Sequence, residues 1–212
     1  MNLLLRVLTA MVLLPAALWI LYLGSWVFGW GVGLVTVICY YEYFCMSPFE
    51  KGELRGIFFR FGSLIYITLG LLSLYLLREQ AGFEWVLLVL IATWSGDTFA
   101  YFTGRLIGKH LLAPRISPKK TWEGFVGGAI GTVLMPLVLR NFLSTLSTQE
   151  ILWVCIPCIF LAPAGDLIES KIKRLYGVKD SGNLLPGHGG FLDRIDALLL
   201  TAPWALLYFV LR

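Results

Sequence analysis

Residues 85–107 read WVLLVLIATWSGDTFAYFTGRLI, a largely apolar stretch with a single acid, Asp97, near its middle. These 23 residues, at about 1.5 Å of helical rise each, can cross the roughly 30 Å hydrocarbon core of a membrane. Lipid offers the backbone no hydrogen-bond partners, and an α-helix satisfies its own N–H and C=O groups. The stretch therefore predicts a transmembrane helix.

Six further apolar runs of similar length lie at residues 3–23, 27–46, 57–77, 124–142, 151–168 and 195–211. Of the 212 residues, 58% are hydrophobic and 14% charged, against about 45–50% and 25% in an ordinary soluble domain. The composition excludes a water-soluble domain and predicts an all-α, polytopic integral membrane helix bundle of about seven transmembrane helices. Because the first run is longer than the core of a signal peptide, we expect it to remain as the first span.

The basic residues indicate how these helices are oriented. With a cytoplasmic N-terminus, 14 of the 17 Lys and Arg residues face the cytoplasm, and only Arg78, Arg140 and Arg212 fall on the other side. Short cytoplasmic connections carry such an excess of positive charge. The bias predicts a cytoplasmic N-terminus and accounts for the net charge of +4 without a nucleic-acid partner.

Two polar, Gly- and Pro-containing loops, Gly108–Glu123 and Glu169–Arg194, join the later helices on the predicted cytoplasmic side. The first three spans have only short connections. We therefore divide the chain into N-terminal membrane helices, residues 1–84, and a catalytic membrane domain, residues 85–212, which has four spans and both loops. The chemistry is expected in the second part.

Small residues within the runs are interpreted as packing residues. GxxxG pairs, which permit close helix contacts, occur at Gly29/Gly33 and Gly127/Gly131. Cys155 and Cys158 form a CxxC motif inside an apolar run, where packing is favoured over redox chemistry.

Asp97 is the clearest polar residue at membrane depth. A carboxylate there costs about 2.5–3.5 kcal/mol on insertion scales, and Tyr101 and Arg105 follow on the same helical face. Two interpretations remain open: a structural Asp97–Arg105 pair, or a carboxylate that lines a wet, functional cavity.

Three more acids lie near the predicted cytoplasmic ends of the last two spans. Asp166 ends the sixth span, while Asp193 and Asp196 are three residues apart at the start of the seventh. Hard divalent cations such as Mg²⁺ take oxygen ligands and retain positions for substrate phosphates. The three acids could form a metal site, or Asp193 could cap a helix and Asp196 lie at the surface.

The loop before Asp193 has the composition of a phosphate-binding segment. It carries Lys173, Arg174 and Lys179 before the glycine-rich stretch LPGHGGFLDR, residues 185–194. Glycines let backbone N–H groups approach phosphate oxygens, and cations neutralise them. Lys119 and Lys120 add two cations on the same side, although positive-inside topology and attraction to anionic lipid also explain them. Neither a complete P-loop nor a GxGxxG motif is present.

The second half of the chain resembles the CDP-diacylglycerol synthase family, also called phosphatidate cytidylyltransferases. The family signature is matched by Ser170, Lys173, Arg174, Lys179, Asp180, Gly182, Leu185, Pro186, His188, Gly189, Gly190, Asp193, Arg194, Ile195 and Asp196. Residues 96–109 and 116–124 also look like the family's, so the resemblance is strong over about residues 92–200.

The resemblance implies transfer of CMP from CTP to phosphatidate, giving CDP-diacylglycerol and pyrophosphate, with Mg²⁺ and a monovalent cation such as K⁺. Its implied setting is the inner (plasma) membrane of a bacterium, with a cytoplasmic active site and a homodimeric assembly. The expected catalytic residues are Asp166, Asp193, Lys173 and His188, and the expected metal ligands are Asp166, Asp193, Asp97 and Asp196. The expected substrate-binding residues are Ser170, Arg174, Lys179, Gly189, Gly190, Lys119, Lys120 and Arg194.

Two alternatives come from other functional classes. An ion-coupled transporter would also carry intramembrane acids, but its sites lie at the membrane midplane, whereas the polar residues here crowd one face. A cytidylyltransferase for another lipid phosphate, or a CTP-dependent lipid-alcohol kinase, would use many of the same acidic and phosphate-binding residues.

Overall fold

The computed structural model of the chain describes residues 3–46, 54–185 and 189–212. Within these residues, eight α-helices and one two-stranded sheet follow one another. The helices are α1 (Leu3–Leu23), α2 (Ser25–Met46), α3 (Leu54–Ala81), α4 (Phe83–Ile107), α5 (Trp122–Val138), α6 (Thr148–Leu175), α7 (Leu192–Ile195) and α8 (Leu198–Leu211). The strands are β1 (Leu111–Ala113) and β2 (Ser117–Thr121), and a 3-10 turn covers Arg140–Phe142.

Each of the seven predicted apolar runs overlaps an α-helix, although residues 124–142 extend beyond α5 and residues 195–211 begin in α7 and continue in α8. Among the described residues, four helical segments are long and apolar enough to cross a membrane: Trp26–Met46, Arg60–Ala81, Phe83–Ile107 and Thr148–Leu175. Three shorter apolar helices are Met11–Leu23, Trp122–Val138 and Leu198–Leu211. The prediction of a helical membrane protein is confirmed.

Helices α4 and α5 pack against each other along a row of glycines. A Cβ on Gly127 would lie 2.2 Å from Thr103 Oγ1, and one on Gly131 would lie 2.7 Å from the Phe99 ring. The Gly127/Gly131 pair therefore makes the close contact that its spacing predicts. At Gly33, by contrast, a Cβ would meet nothing within 4 Å, so this member of the other GxxxG pair makes no such contact.

Both predicted parts of the chain contribute to one hydrophobic core. Helix α3 packs on α8 closely enough that a Cβ on Gly70 would lie 2.7 Å from the Leu199 Cα. Core side chains come from the first helix, such as Leu21, and from the last, such as Ala205. Cys155 and Cys158 are buried and not disulfide-bonded, as expected for packing residues. The helices thus form a common scaffold behind the polar loops.

The two polar loops contain more regular structure than the sequence indicates. In the first, β1 and β2 form an antiparallel hairpin whose base is closed by a hydrogen bond from Trp122 N to His110 O of 2.9 Å. Glu123 holds the same base, because its Oε2 accepts from Lys109 N at 3.1 Å. In the second, α6 continues to Leu175, beyond the predicted end at residue 168. Three polar side chains of this extension, Glu169, Ser170 and Lys173, are buried against protein, so a hydropathy pattern ends the helix too early.

Candidate active site

Three carboxyl groups converge where α6 meets the junction of α7 and α8. One oxygen from each of Asp166, Glu169 and Asp196 lies within 4.8 Å of the others. Asp166 and Glu169 are three residues apart on α6, which places them on neighbouring positions of one helical face. Among the described residues, this is the acidic group whose geometry suits a metal ion.

Gly165 allows the two elements of this cluster to approach. A Cβ at this position would lie 2.5 Å from the Asp196 carbonyl oxygen and 3.2 Å from the Ala197 Cα. Any larger residue would therefore push the α7–α8 junction away from α6. The Gly-Asp dipeptide at 165–166 thus brings Asp196 to the acids of α6.

Lys173 is a cation that contacts the acidic cluster from within the protein. Its side chain is buried, with the residue 8% exposed, and it forms ion pairs with Glu169 and with Asp193 Oδ1, the latter at 2.6 Å. Buried charges are stable in proteins when they are paired. Lys173 therefore links the acidic cluster to the glycine-rich loop through Asp193.

Asp193 organises that loop with both of its oxygens. Oδ2 accepts hydrogen bonds from Ser181 N at 3.1 Å and from Gly190 N at 3.0 Å, while Oδ1 accepts from Lys173 Nζ. Burial raises the pKa of Asp193, but hydrogen bonds with Glu169 and Lys173 outweigh it, so the pKa of this carboxyl lies below its ordinary value. Asp193 therefore lies beside the three-acid cluster, joined to it by Lys173.

Asp166 also borders a second region, which lies next to the acidic cluster. Its Oδ2 pairs with Lys120 Nζ of the hairpin at 2.5 Å, and its Oδ1 accepts a hydrogen bond from Ser170 Oγ at 3.1 Å. The same carboxyl lines a cavity of about 640 Å³, a volume typical of small-molecule sites. Asp166 therefore belongs both to the acidic cluster and to the cavity wall.

The cavity is lined by α4, α5, α6 and the hairpin. Its polar wall includes Asp97, Tyr101, Arg105, Lys119 and Lys120, and its remaining wall is mostly apolar or glycine. Arg105 Nη1 donates to the Tyr101 hydroxyl at 2.8 Å, and Asp97 is accessible from the cavity. Of the two interpretations of Asp97, the cavity-lining one agrees with its position.

Comparison with known proteins extends these observations. Residues 4–76 and 51–212 match the model of the Cytidylyltransferase family. The chain belongs to this family. Its cytidylyltransferase relatives include proteins named phosphatidate cytidylyltransferase from Staphylococcus saprophyticus, Haemophilus influenzae and Thermotoga maritima.

The Staphylococcus cytidylyltransferase is 44% identical over 142 residues, covering 66% of this chain and 54% of the relative. The Haemophilus enzyme is 36% identical over 189 residues, covering 85% and 64%. The Thermotoga enzyme is 44% identical over 153 residues, covering 69% and 57%. The chain thus spans a little over half to just under two thirds of the length of these cytidylyltransferases.

The other expected cytidylyltransferase site residues are distributed around the cluster. Arg174 Nη1 donates to Val178 O at 2.8 Å, closing the end of α6. Gly189 has a positive φ of 83°, which favours glycine. Lys119, Lys179 and Arg194 are exposed. His188 lies outside the described residues, so its expected role stays a prediction.

Two acids near this site were missed by sequence reasoning. Glu169 stands three residues after Asp166 and four before Lys173, a helical spacing that could have placed it in the cluster. Glu42, on α2, is 1% exposed and accepts hydrogen bonds from Phe191 N and Leu192 N. Nothing in the sequence around Glu42 signals these partners.

Proposed function

We propose that this chain is a phosphatidate cytidylyltransferase, which transfers CMP from CTP to phosphatidate and releases pyrophosphate. The observation that carries the proposal is the convergence of Asp166, Glu169 and Asp196 beside the buried cation Lys173, within the segment that carries the family signature. Relatives of that printed name, which align with 66–85% of this chain, support it.

We also propose seven membrane spans, a cytoplasmic N-terminus and a location in the inner membrane of a bacterium. The four long and three shorter apolar helices and the asymmetry of Lys and Arg support this topology. It places the acidic cluster and the hairpin at the cytoplasmic face, where CTP arrives while the lipid stays in the bilayer. Residues 1–84 then serve mainly as scaffold and residues 85–212 carry most of the site. The homodimer that the resemblance implies remains part of the proposal.

The acidic cluster fits a divalent metal by the chemistry of its donors. All of its ligand atoms are carboxyl oxygens, which Mg²⁺ prefers, and three acids still leave positions for water and phosphate oxygens. Asp166 and Asp193, the two acids that the resemblance matches to metal ligands, would hold Mg²⁺ together with Glu169 and Asp196, and Asp97 faces the same cavity as Asp166. A monovalent cation such as K⁺ belongs to the proposal through the resemblance. When bound, Mg²⁺ supplies charge neutralisation between two polyanionic substrates.

The reaction requires little proton chemistry from the protein. A phosphate oxygen of phosphatidate attacks the α-phosphorus of CTP, a new P–O bond forms, and the bond from the α-phosphorus to the bridging oxygen breaks as pyrophosphate leaves. Lys173, Arg174 and Lys179 stabilise the leaving pyrophosphate, while Lys119 and Lys120 attract phosphate groups into the cavity. His188 positions a phosphate, because an attacking phosphate that is already anionic has no need of a general base.

The proposal is tested with purified protein in detergent or liposomes and CTP labelled in its cytidine. We expect label to enter lipid when phosphatidate and Mg²⁺ are both present, and not when Mg²⁺ is removed with a chelator. Parallel reactions with a polyprenyl phosphate and a polyprenol separate the alternative lipid substrates, with CTP labelled on its γ-phosphate to reveal kinase activity. Turnover with either polyprenyl compound but not with phosphatidate would contradict the proposal.

A further inference from the structure

Glu42 lies in the last two turns of α2, a membrane helix from the part of the chain in which no chemistry is expected. It is 1% exposed, although an acid in a membrane helix is costly unless the protein satisfies it. The reason for its presence must therefore be sought in the atoms around its carboxyl group.

All three hydrogen bonds that the structure describes to this carboxyl group come from the signature loop, residues 181–192. Oε1 accepts from Phe191 N at 2.8 Å. Oε2 accepts from Leu192 N at 2.9 Å and from the Ser181 hydroxyl at 3.2 Å. One side chain from α2 thus holds the loop at both of its ends.

Two glycines of the signature leave room for this contact. A Cβ on Gly182 would lie 2.9 Å from Glu42 Oε1, and a Cβ on Gly190 would lie 2.8 Å from Glu42 Oε2 and 1.8 Å from Ser181 Oγ. Contacts below 3.0 Å are too close for a side chain at either position. These glycines are therefore needed for the approach of Glu42.

The same loop is held from its other side by the acid next to the candidate metal cluster. Ser181 donates its N–H to Asp193 Oδ2 at 3.1 Å and its hydroxyl to Glu42. Gly190 donates its N–H to Asp193 Oδ2 at 3.0 Å, and Asp193 pairs with Lys173. A shift of the loop would therefore move Asp193 and, through it, the cation that pairs with Glu169.

We propose that Glu42 is a positioning residue for CMP transfer: it fixes the signature loop so that Asp193 and Lys173 keep their places beside the acidic cluster. The inference rests on the proposed function and deepens it by assigning a role at the active site to the N-terminal helices. Glu42 touches neither substrate nor the reacting atoms and acts through the loop.

The test compares Glu42→Gln with Glu79→Gln, which makes the same change at an exposed position of α3. Gln keeps the shape of the side chain but has one acceptor oxygen, so at least one of the three loop donors loses its partner. We expect kcat for transfer to phosphatidate to fall about tenfold or more, as for other residues that support a metal site. The KM for phosphatidate should change by less than about twofold, because a positioning defect lowers turnover rather than lipid binding.

The second readout is hydrogen–deuterium exchange, measured by mass spectrometry on the same preparations. Amides of residues 181–192 should exchange faster in Glu42→Gln, while peptides of α4 and α5 exchange as in the unaltered protein. Glu79→Gln should match the unaltered protein in both measurements. Unchanged kcat, or unchanged exchange across the loop, in Glu42→Gln would overturn the proposal, as would a rise in the KM for phosphatidate that accounts for the lost activity.

Two further outcomes are also decisive. If Glu42→Gln does not fold, Ser181→Ala removes one of the same hydrogen bonds from the loop side; lowered kcat with faster loop exchange supports the role, and unaltered kcat overturns it. If the unaltered protein transfers no CMP to phosphatidate, the proposed function fails and the role in transfer fails with it. The exchange comparison would still show whether Glu42 holds the loop.

Discussion

The two sides of α6 are built differently. On the side of α4 and α5, α6 borders an open cavity of about 640 Å³ with Lys119 and Lys120 in its polar wall. On the side of α2 and α7, the described polar groups form a closed network of ion pairs and hydrogen bonds around Lys173 and Asp193. The cavity side has room to admit a ligand, and the network side has the fixed geometry needed to orient charge. Asp166 belongs to both.

The largest loss of CMP transfer is expected from a change at Asp166, which belongs to both sides of α6. Asp166→Asn removes a candidate metal ligand and the partner of Lys120, so CMP transfer should fall at least about 100-fold while a folded membrane protein is retained. Asp193→Asn, on the network side, should likewise abolish transfer. Incorporation of labelled CTP into lipid measures both, and retained turnover in either variant would refute the metal assignment.

The next largest effect is a change in the KM for CTP, which is expected from the cavity side of α6 rather than from the network side. Lys120→Ala should raise the KM for CTP about tenfold, the loss expected for one hydrogen bond to a charged group, with a smaller change in kcat. Lys171→Ala, which removes an exposed cation from α6, is the control and should leave both constants near those of the unaltered protein. Equal behaviour of the two variants would mean that the hairpin lysine does not serve the substrate.

A smaller effect, on stability, tests how tightly α4 and α5 pack against each other. Gly127→Ala forces a Cβ to within 2.2 Å of Thr103 Oγ1 and should lower the free energy of unfolding by about 1–3 kcal/mol. Gly33→Ala meets nothing within 4 Å and should raise it by up to about 1 kcal/mol, because alanine favours the helix. Thermal unfolding in detergent measures both, and identical midpoints would show that the α4–α5 contact tolerates side chains.

The smallest expected effect is a pH dependence of the protein's stability, which arises from Asp193 on the network side of α6. Because the pKa of Asp193 is lowered in the folded protein, its pairing stabilises the protein fully above the ordinary pKa of an aspartate, near 4, and this contribution is lost as the pH falls through the lowered value. The difference in unfolding temperature between the unaltered protein and Asp193→Asn should therefore shrink below about pH 4. A difference that is constant from pH 7 to pH 3 would contradict the assigned pairing.

The helices could be predicted from the sequence because lipid leaves so few alternatives for an apolar run. The predicted span 85–107 corresponds to α4 (Phe83–Ile107) and the span 27–46 to α2 (Ser25–Met46). The hairpin could not be predicted in this way, because its strands are short and β2 contains Pro118 and two lysines. Its structure depends instead on Glu123, which binds the backbone of the loop at Lys109.

The candidate site could be predicted only as far as its residues lie close together in sequence. Lys173 and Asp193 are part of one recognisable signature, Asp166 lies four residues before its first residue, and the structure brings the three into one neighbourhood. Glu169 required knowledge that α6 continues as a helix past the apolar run. Glu42 could not be found, because its partners lie up to 150 positions away and long-range pairing leaves no local pattern.

The distance between Glu42 and its partners also affects biosynthesis. Phe191 is made 149 residues after Glu42, which at about 5–20 residues per second takes a ribosome roughly 7–30 s. Until residues 181–192 are made, the acid of α2 has none of the hydrogen-bond partners described for it in the finished protein. The late-made segment thus satisfies the acid of a helix made long before it, so the network around Asp193 is complete only after both segments have been made.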